Sequence, residues 1–240
     1  MLRSPLDEIE RIIINKDKLL LTAEQNVGSY LFLKLFLEKF DVDLRVIIFS
    51  FLGQTNPKIM ALLIRSCREL GADYLVFEAE DIASLVLHRL KPYLEQSMVF
   101  ADIIRGAIRN IILTNLALPE KRVPIVAKSL TDLVLNPEPK FKNIIYPFIT
   151  YTDSQLIQLA DSINIKRAII DKFSRKTCEL GEVSFEEVDK KIYVLLNTAE
   201  KSLCEKINIS DAKPNNLEEL LVRNICMLRT LGWDIWKYDR

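Results

Sequence analysis

The chain has 240 residues and carries 33 basic and 33 acidic side chains, which makes it formally neutral with a pI near 6.6. Its length suffices for one large α/β domain with a substantial core, and its neutrality provides no field that would draw nucleic acid or an anionic membrane surface. No apolar stretch approaches the ~20 residues of a membrane span. The N-terminus, with Asp7, Glu8, Glu10 and Arg11, does not resemble a signal peptide. A cytoplasmic protein that binds neither nucleic acid nor membrane is expected.

In chain order, residues 5–14 read as a short amphipathic helix, and Thr22-Ala23-Glu24-Gln25 reads as an N-cap opening a helix to about Phe40. Two helices therefore precede the first expected strand, the apolar run 44–49 (Leu-Arg-Val-Ile-Ile-Phe). Its continuous apolar character marks a strand covered on both faces of a parallel sheet. The loop Ser50-Phe51-Leu52-Gly53-Gln54-Thr55-Asn56 comes next, and Pro57 then starts a helix that ends before Gly71. Residues 74–79 form the second strand, completing a βαβ unit, and Asp81 caps the next helix.

A long helix over 99–118 places Arg105 and Arg109 four residues apart on one face, where pairing with acidic neighbours on a solvated surface is an equal reading. Residues 123–126 are a third strand candidate, leading into Lys128-Ser129. Residues 136–143, with Pro137, Pro139, Lys140 and Lys142, read as an exposed loop. Residues 144–149 are a fourth strand candidate, and Thr152 caps the helix after it. Helices are expected over 165–173, 184–207 and 216–231, the last stopped by Gly232.

The four cysteines, Cys67, Cys178, Cys204 and Cys226, form no C-x-x-C pair and suit reduced structural thiols. His88 is the single histidine, and in its helical setting it reads as a partly exposed surface residue, leaving little basis for His-based metal sites or Ser-His-Asp chemistry. Ser50 and Thr55 read first as simple caps of the loop and helix. Glu179, Glu186, Glu187 and Asp189 read as charges favouring a helix start, and Trp233 and Trp236 as packing anchors.

Several strings, taken in order over residues 20–200, resemble the ammonia-dependent NAD synthetases of the PP-loop ATP pyrophosphatase group. They are Arg109 through Ala117, Lys128-Ser129, Tyr146-Pro147-Phe148 with Leu159-Ala160, and Glu179-Leu180-Gly181 with Ser184 to Asp189 and Tyr193. The resemblance implies a three-layer α/β sandwich with a mostly parallel, doubly wound sheet and extra helices at both termini. It implies one domain over 1–240, with N-terminal helices at 1–43, the sheet core at 44–164 and a helical part at 165–240. It also implies a homodimer.

Active members carry S-G-G-x-D-S after the first strand, where backbone N–H groups hold the ATP pyrophosphate. Read onto residues 50–55, Phe51 and Leu52 replace both glycines, Gln54 replaces the magnesium-binding aspartate, and Thr55 stands for the last serine. Ala107 stands for the first family arginine, and Ala127 and Leu130 flank Lys128-Ser129 in place of asparagine and glutamate. The expectation is a catalytically degenerate NAD synthetase-like protein with no catalytic and no metal-binding residues. A residual adenine-nucleotide site would comprise Ser50, Gly53, Gln54, Thr55, Arg109 and Lys128, with ATP and magnesium as its ligands; otherwise the chain acts as an interaction subunit. The alternative is an active ligase that joins deamido-NAD and ammonia at the expense of ATP through a rearranged loop. A module binding some other mononucleotide is a third reading, from topology alone.

Overall fold

A computed structural model describes residues 10–11, 18–39, 43–51, 56–90, 98–173, 175–178, 180–198, 204 and 214–235. The expected helix over 5–14 lies outside the described residues apart from Glu10 and Arg11, which are helical. Glu179 and Trp236 also lie outside the described residues.

The first strand is β1 (Lys18–Ala23), and it corrects the expectation of N-terminal helices alone over 1–43. Five of its six residues are buried, and its neighbours cover both edges, with β2 (Asp43–Ser50) on one side and β4 (Val123–Val126) on the other. Beyond β2 lies β3 (Asp73–Glu78), so the sheet order among the described residues is β3-β2-β1-β4, all parallel. The expected strand over 144–149 reduces to one parallel bridge, Ile125 to Ile145. Residues 147–150 turn instead.

Alternation along β1 and β2 builds the layers. Leu19, Leu21, Val46 and Ile48 face a core shared with α1 (Val27–Lys39), α2 (Pro57–Glu69) and α6 (Asp153–Ser162). Leu20, Ile47 and Phe49 face the opposite side, against Leu113 and Ala117 of α4 (Met98–Ala117). Each such apolar side chain contributes roughly 1.5–3 kcal/mol on full burial. The result is an α/β sandwich with helices on both faces of a parallel sheet. Between β3 and α4 lies α3 (Glu80–Leu90), which begins one residue before the expected cap Asp81 and exposes His88.

A third cluster joins α5 (Leu130–Leu135), α8 (Phe185–Thr198) and α9 (Leu217–Thr230) around Trp233. The expected helix over 165–173 divides into α7 (Arg167–Ile170) and a 3-10 turn, Asp171–Phe173. An antiparallel hairpin, absent from the sequence expectations, comes after it: β5 (Arg175–Cys178) and β6 (Gly181–Ser184).

The caps agree with their signals where the donors are local. Asn56 accepts from Lys58 N at 3.0 Å, Thr152 and Gln155 form a capping box, and Asn216 accepts from Glu219 N at 3.0 Å. Helix α1 is the exception, because its cap is Asn26, which accepts from Ser29 N at 2.7 Å, while Thr22 belongs to the strand. The cysteines also depart from expectation. Cys204 and Cys226 form a disulfide with Cα atoms 5.3 Å apart, whereas Cys67 and Cys178 are buried outside that bridge. Burial pushes the Cys67 thiol up to about 11, which makes it unreactive.

Candidate functional site

From β1 the chain winds outward to β2 and β3, then returns across β1 to β4. Winding reverses between β1 and β4, and open α/β sheets place their ligand crevices beyond the strand ends at such a reversal. That rule points to the residues just beyond Ala23 and Val126.

Glu24 comes directly after β1. Its N–H donates to Ser29 Oγ at 3.0 Å, and Ser29 Oγ donates to Thr22 O at 3.4 Å, so a tight, glycine-free turn carries the chain into α1. Lys128 lies two residues beyond β4, and Arg109 reaches the same place from α4. Glu138, on the 136–143 loop, completes a buried quartet. Arg109 Nη1 lies 2.5 Å from Glu24 Oε1, and Nη2 lies 2.5 Å from Glu138 Oε1. Lys128 Nζ donates to Glu138 Oε2 and lies 3.5 Å from Glu24 Oε2. Two cations and two carboxylates balance within one cluster. Only Glu24 stands at the mouth, with 18% of its side chain exposed against 1% for Glu138.

The quartet decides its own protonation. Burial alone would raise the Glu138 carboxyl, but Arg109 and Lys128 outweigh burial and hold it down at about 2. For Glu24 burial outweighs the same two cations and its carboxyl is raised. Burial would lower the Arg109 guanidinium, yet Glu138 and Glu24 hold it above its ordinary value. Asn110 extends the cluster by accepting from Arg109 Nη2 at 2.9 Å and donating to Tyr146 Oη at 3.4 Å.

Two further features lie beside the quartet. Gly28, in the first turn of α1, sits where a Cβ would meet the Ala127 carbonyl oxygen at 2.1 Å, so helix and β4 end are in backbone contact. A second ionic cluster lies beside the first: Lys176 of β5 donates to Asp132 at 2.7 Å and lies 2.6 Å from Asp153. Burial, helped by the neighbouring Asp132 charge, outweighs Lys176 and raises Asp153 to about 6. Asp189 accepts from Thr131 Oγ1 and from Ser154 Oγ at 2.6 Å, so it is a buried acceptor tying α8 to α5 and α6 instead of a solvated helix-start charge.

The same architecture occurs in solved structures. The NH3-dependent NAD synthetase from Campylobacter jejuni, in complex with the nitrate ion, matches with a TM-score of 0.62 at 15% identity, over 95% of this chain and 90% of that one. NMN synthetase from Francisella tularensis matches with a TM-score of 0.63 at 11% identity, over 100% and 97% of the two chains. The fold is that of the NAD synthetases. The glutamine-dependent NAD+ synthetase from Acinetobacter baumannii, in complex with ADP, gives a TM-score of 0.59 at 12% identity, this chain matching over 97% of its length but covering 46% of that enzyme. No protein-family model and no curated protein matches the sequence.

Within this NAD synthetase fold, the turn after the first strand is Glu24-Gln25-Asn26, and the loop from Ser50 to Thr55 comes after the second strand. Ser50 ends β2 and accepts from Ala79 N at 3.0 Å through its carbonyl. Phe51 stacks against Phe49 at 6.4 Å and packs on the α4-side core, so its ring points inward. Gly53, Gln54 and Thr55 lie outside the described residues, as does Leu52. Arg109 and Lys128 are brought together. Neither sits on a solvated face: both are buried. Arg105 remains nearer the surface, 3.5 Å from Asp102 and 3.9 Å from Glu80.

Sequence reasoning missed Glu24 and Glu138. Magnesium finds no free carboxylate among these residues, since both crevice carboxylates are bound to cations, and among the described residues no group of three metal-ligating side chains forms. None of the described helices is long and apolar enough to cross a membrane.

Proposed function

We propose that this chain is a catalytically degenerate NAD synthetase-like protein. The observation that carries the reading is the quartet: the cations Arg109 and Lys128, which could face a nucleotide phosphate, are neutralised by Glu24 and Glu138 of the same chain. Stabilising a transferring phosphate requires cations or a metal aimed at the developing charge, and a cation already paired in a buried cluster supplies little. The fold supports an adenine nucleotide as the ancestral ligand class, consistent with the ADP complex of the Acinetobacter enzyme.

Purified protein supplied with deamido-NAD, ATP, magnesium and ammonia is expected to release no AMP or pyrophosphate above background. Turnover in that assay would replace this reading with the active ligase.

A homodimer is the accompanying proposal, supported by the resemblance to the synthetases. Light scattering is expected to return twice the chain mass, and a monomer mass would remove the dimer. The Cys204–Cys226 disulfide counts against a reducing compartment, where such bridges are rare.

A further inference from the structure

We infer that Glu138 is a displaceable internal anion, a side chain that holds an oxyanion site for a diphosphate group until such a ligand replaces it. The inference rests on the degenerate-site reading for its location and adds what the site still accepts.

Three independent observations single out Glu138 from an ordinary buried glutamate. Its carboxylate is held from both sides, by Arg109 at 2.5 Å and by Lys128, much as two cations hold one phosphate group. Its stem passes over a helix at the one place where α4 lacks a side chain: a Cβ on Gly106 would lie 2.8 Å from Glu138 Cβ and 3.2 Å from its Oε2. Finally, the backbone of its loop is fastened from outside the crevice. Trp233 Nε1 donates to the Glu138 carbonyl at 2.6 Å, Lys140 N donates to Leu231 O at 3.0 Å, and Lys140 Nζ lies 5.3 Å from the centre of the Trp233 ring.

The 136–143 loop is thus fixed to the C-terminal end of α9, on one side, and places a carboxylate among the crevice cations, on the other. Nothing covalent holds the carboxylate there. A diphosphate brings more negative charge and more acceptor oxygens than one carboxylate, so it competes for the same donors. The neighbouring Glu24 stays as the partner of Arg109 and limits the net positive charge the ligand sees.

The test is calorimetric titration of the full chain with inorganic pyrophosphate, and separately with ATP, comparing the wild type with Glu138→Ala and Glu138→Gln. Glu138→Ala removes charge and bulk, and is expected to bind pyrophosphate at least tenfold tighter than the wild type. Glu138→Gln removes charge alone and is expected to gain less. Gly106→Ala keeps the carboxylate but crowds its stem, and is expected to gain a few fold, which preserves the test if the Glu138 variants fail to fold.

Equal gains for pyrophosphate and ATP identify the free diphosphate group as sufficient, while a gain for ATP alone identifies the nucleotide as the displacing ligand. Either gain supports a displaceable Glu138. Folded variants that bind neither ligand better than the wild type would overturn it. Turnover by the wild type would sink the degenerate reading and leave this one standing, because binding is read here without chemistry.

Discussion

Arg109→Met is expected to lose about 3–5 kcal/mol of stability, the range seen when one partner of a buried ion cluster is removed and the other is left uncompensated. Arg109 is 4% exposed and touches Glu24, Glu138 and Asn110. Without it two carboxylates share Lys128 alone. Urea denaturation with an unchanged m-value measures the loss, and the double variant Arg109→Met with Glu138→Gln is expected to recover part of it, since contacting residues are not additive.

The sign of the pH dependence comes from the cluster. In the wild type the Glu138 carboxyl goes from 4.5 unfolded to about 2 folded, so its stabilisation is complete above the unfolded value and is lost as pH falls through about 2. Glu24 runs the other way, because its folded value is raised and its charge costs stability as pH rises through that value. Removing Arg109 pushes both carboxyls upward, so the deficit of Arg109→Met is expected to be smaller at pH 5 than at pH 8. An equal deficit at both pH values would show that lost packing, not lost charge, is responsible.

How much of this was legible in the sequence depended on the range of each interaction. The unit β2-α2-β3 was legible because its signals are local: an apolar run, Asn56-Pro57 at the helix start, and Gly71 at φ 70° at its end. Strand β1 was not. Leu19-Leu20-Leu21 is too short a run to separate strand from helix, and Thr22 is as good a cap residue by type as Asn26, which holds the position in fact. Missing β1 moved the expected site one strand outward, to Ser50 and its loop, because the reversal of winding is visible only when the central strand is known.

The two halves of the ionic cluster show the same division. Arg109 and Lys128 could be found because they sit on a helix face and beside a strand end, where basic residues prompt attention. Glu24 and Glu138 occupy loops, where glutamate ordinarily faces water, and Glu138 meets its partners across 29 and 10 residues of sequence. A signal was present in Gly106, a glycine inside a helix, which normally costs stability relative to alanine and so asks for a packing reason. The Lys176 hairpin and the Cys204–Cys226 pairing carried no sequence signal that distinguishes them from a polar loop and two unrelated thiols.

Gly28→Ala is the second large effect, and it reverses a rule. Within a helix alanine is normally favoured over glycine by roughly 0.5–1 kcal/mol, so the substitution would stabilise an ordinary first turn. Here the new Cβ would lie 2.1 Å from Ala127 O, 3.2 Å from Ala127 C and 3.2 Å from Phe148 Cδ2. The first obstacle is a backbone atom at the end of a strand paired with β1, so it does not yield as the tip of a long side chain would. Helix α1 and the β4 end must separate, and overpacking of this kind costs typically 1–3 kcal/mol and at times more. The variant is expected to lose at least about 2 kcal/mol by urea denaturation, and an unchanged or raised midpoint would show that the two elements do not meet as closely as described. Because Ala127 precedes Lys128 and Gly28 lies just past the Glu24 turn, the same separation draws Lys128 and Glu24 of the quartet apart.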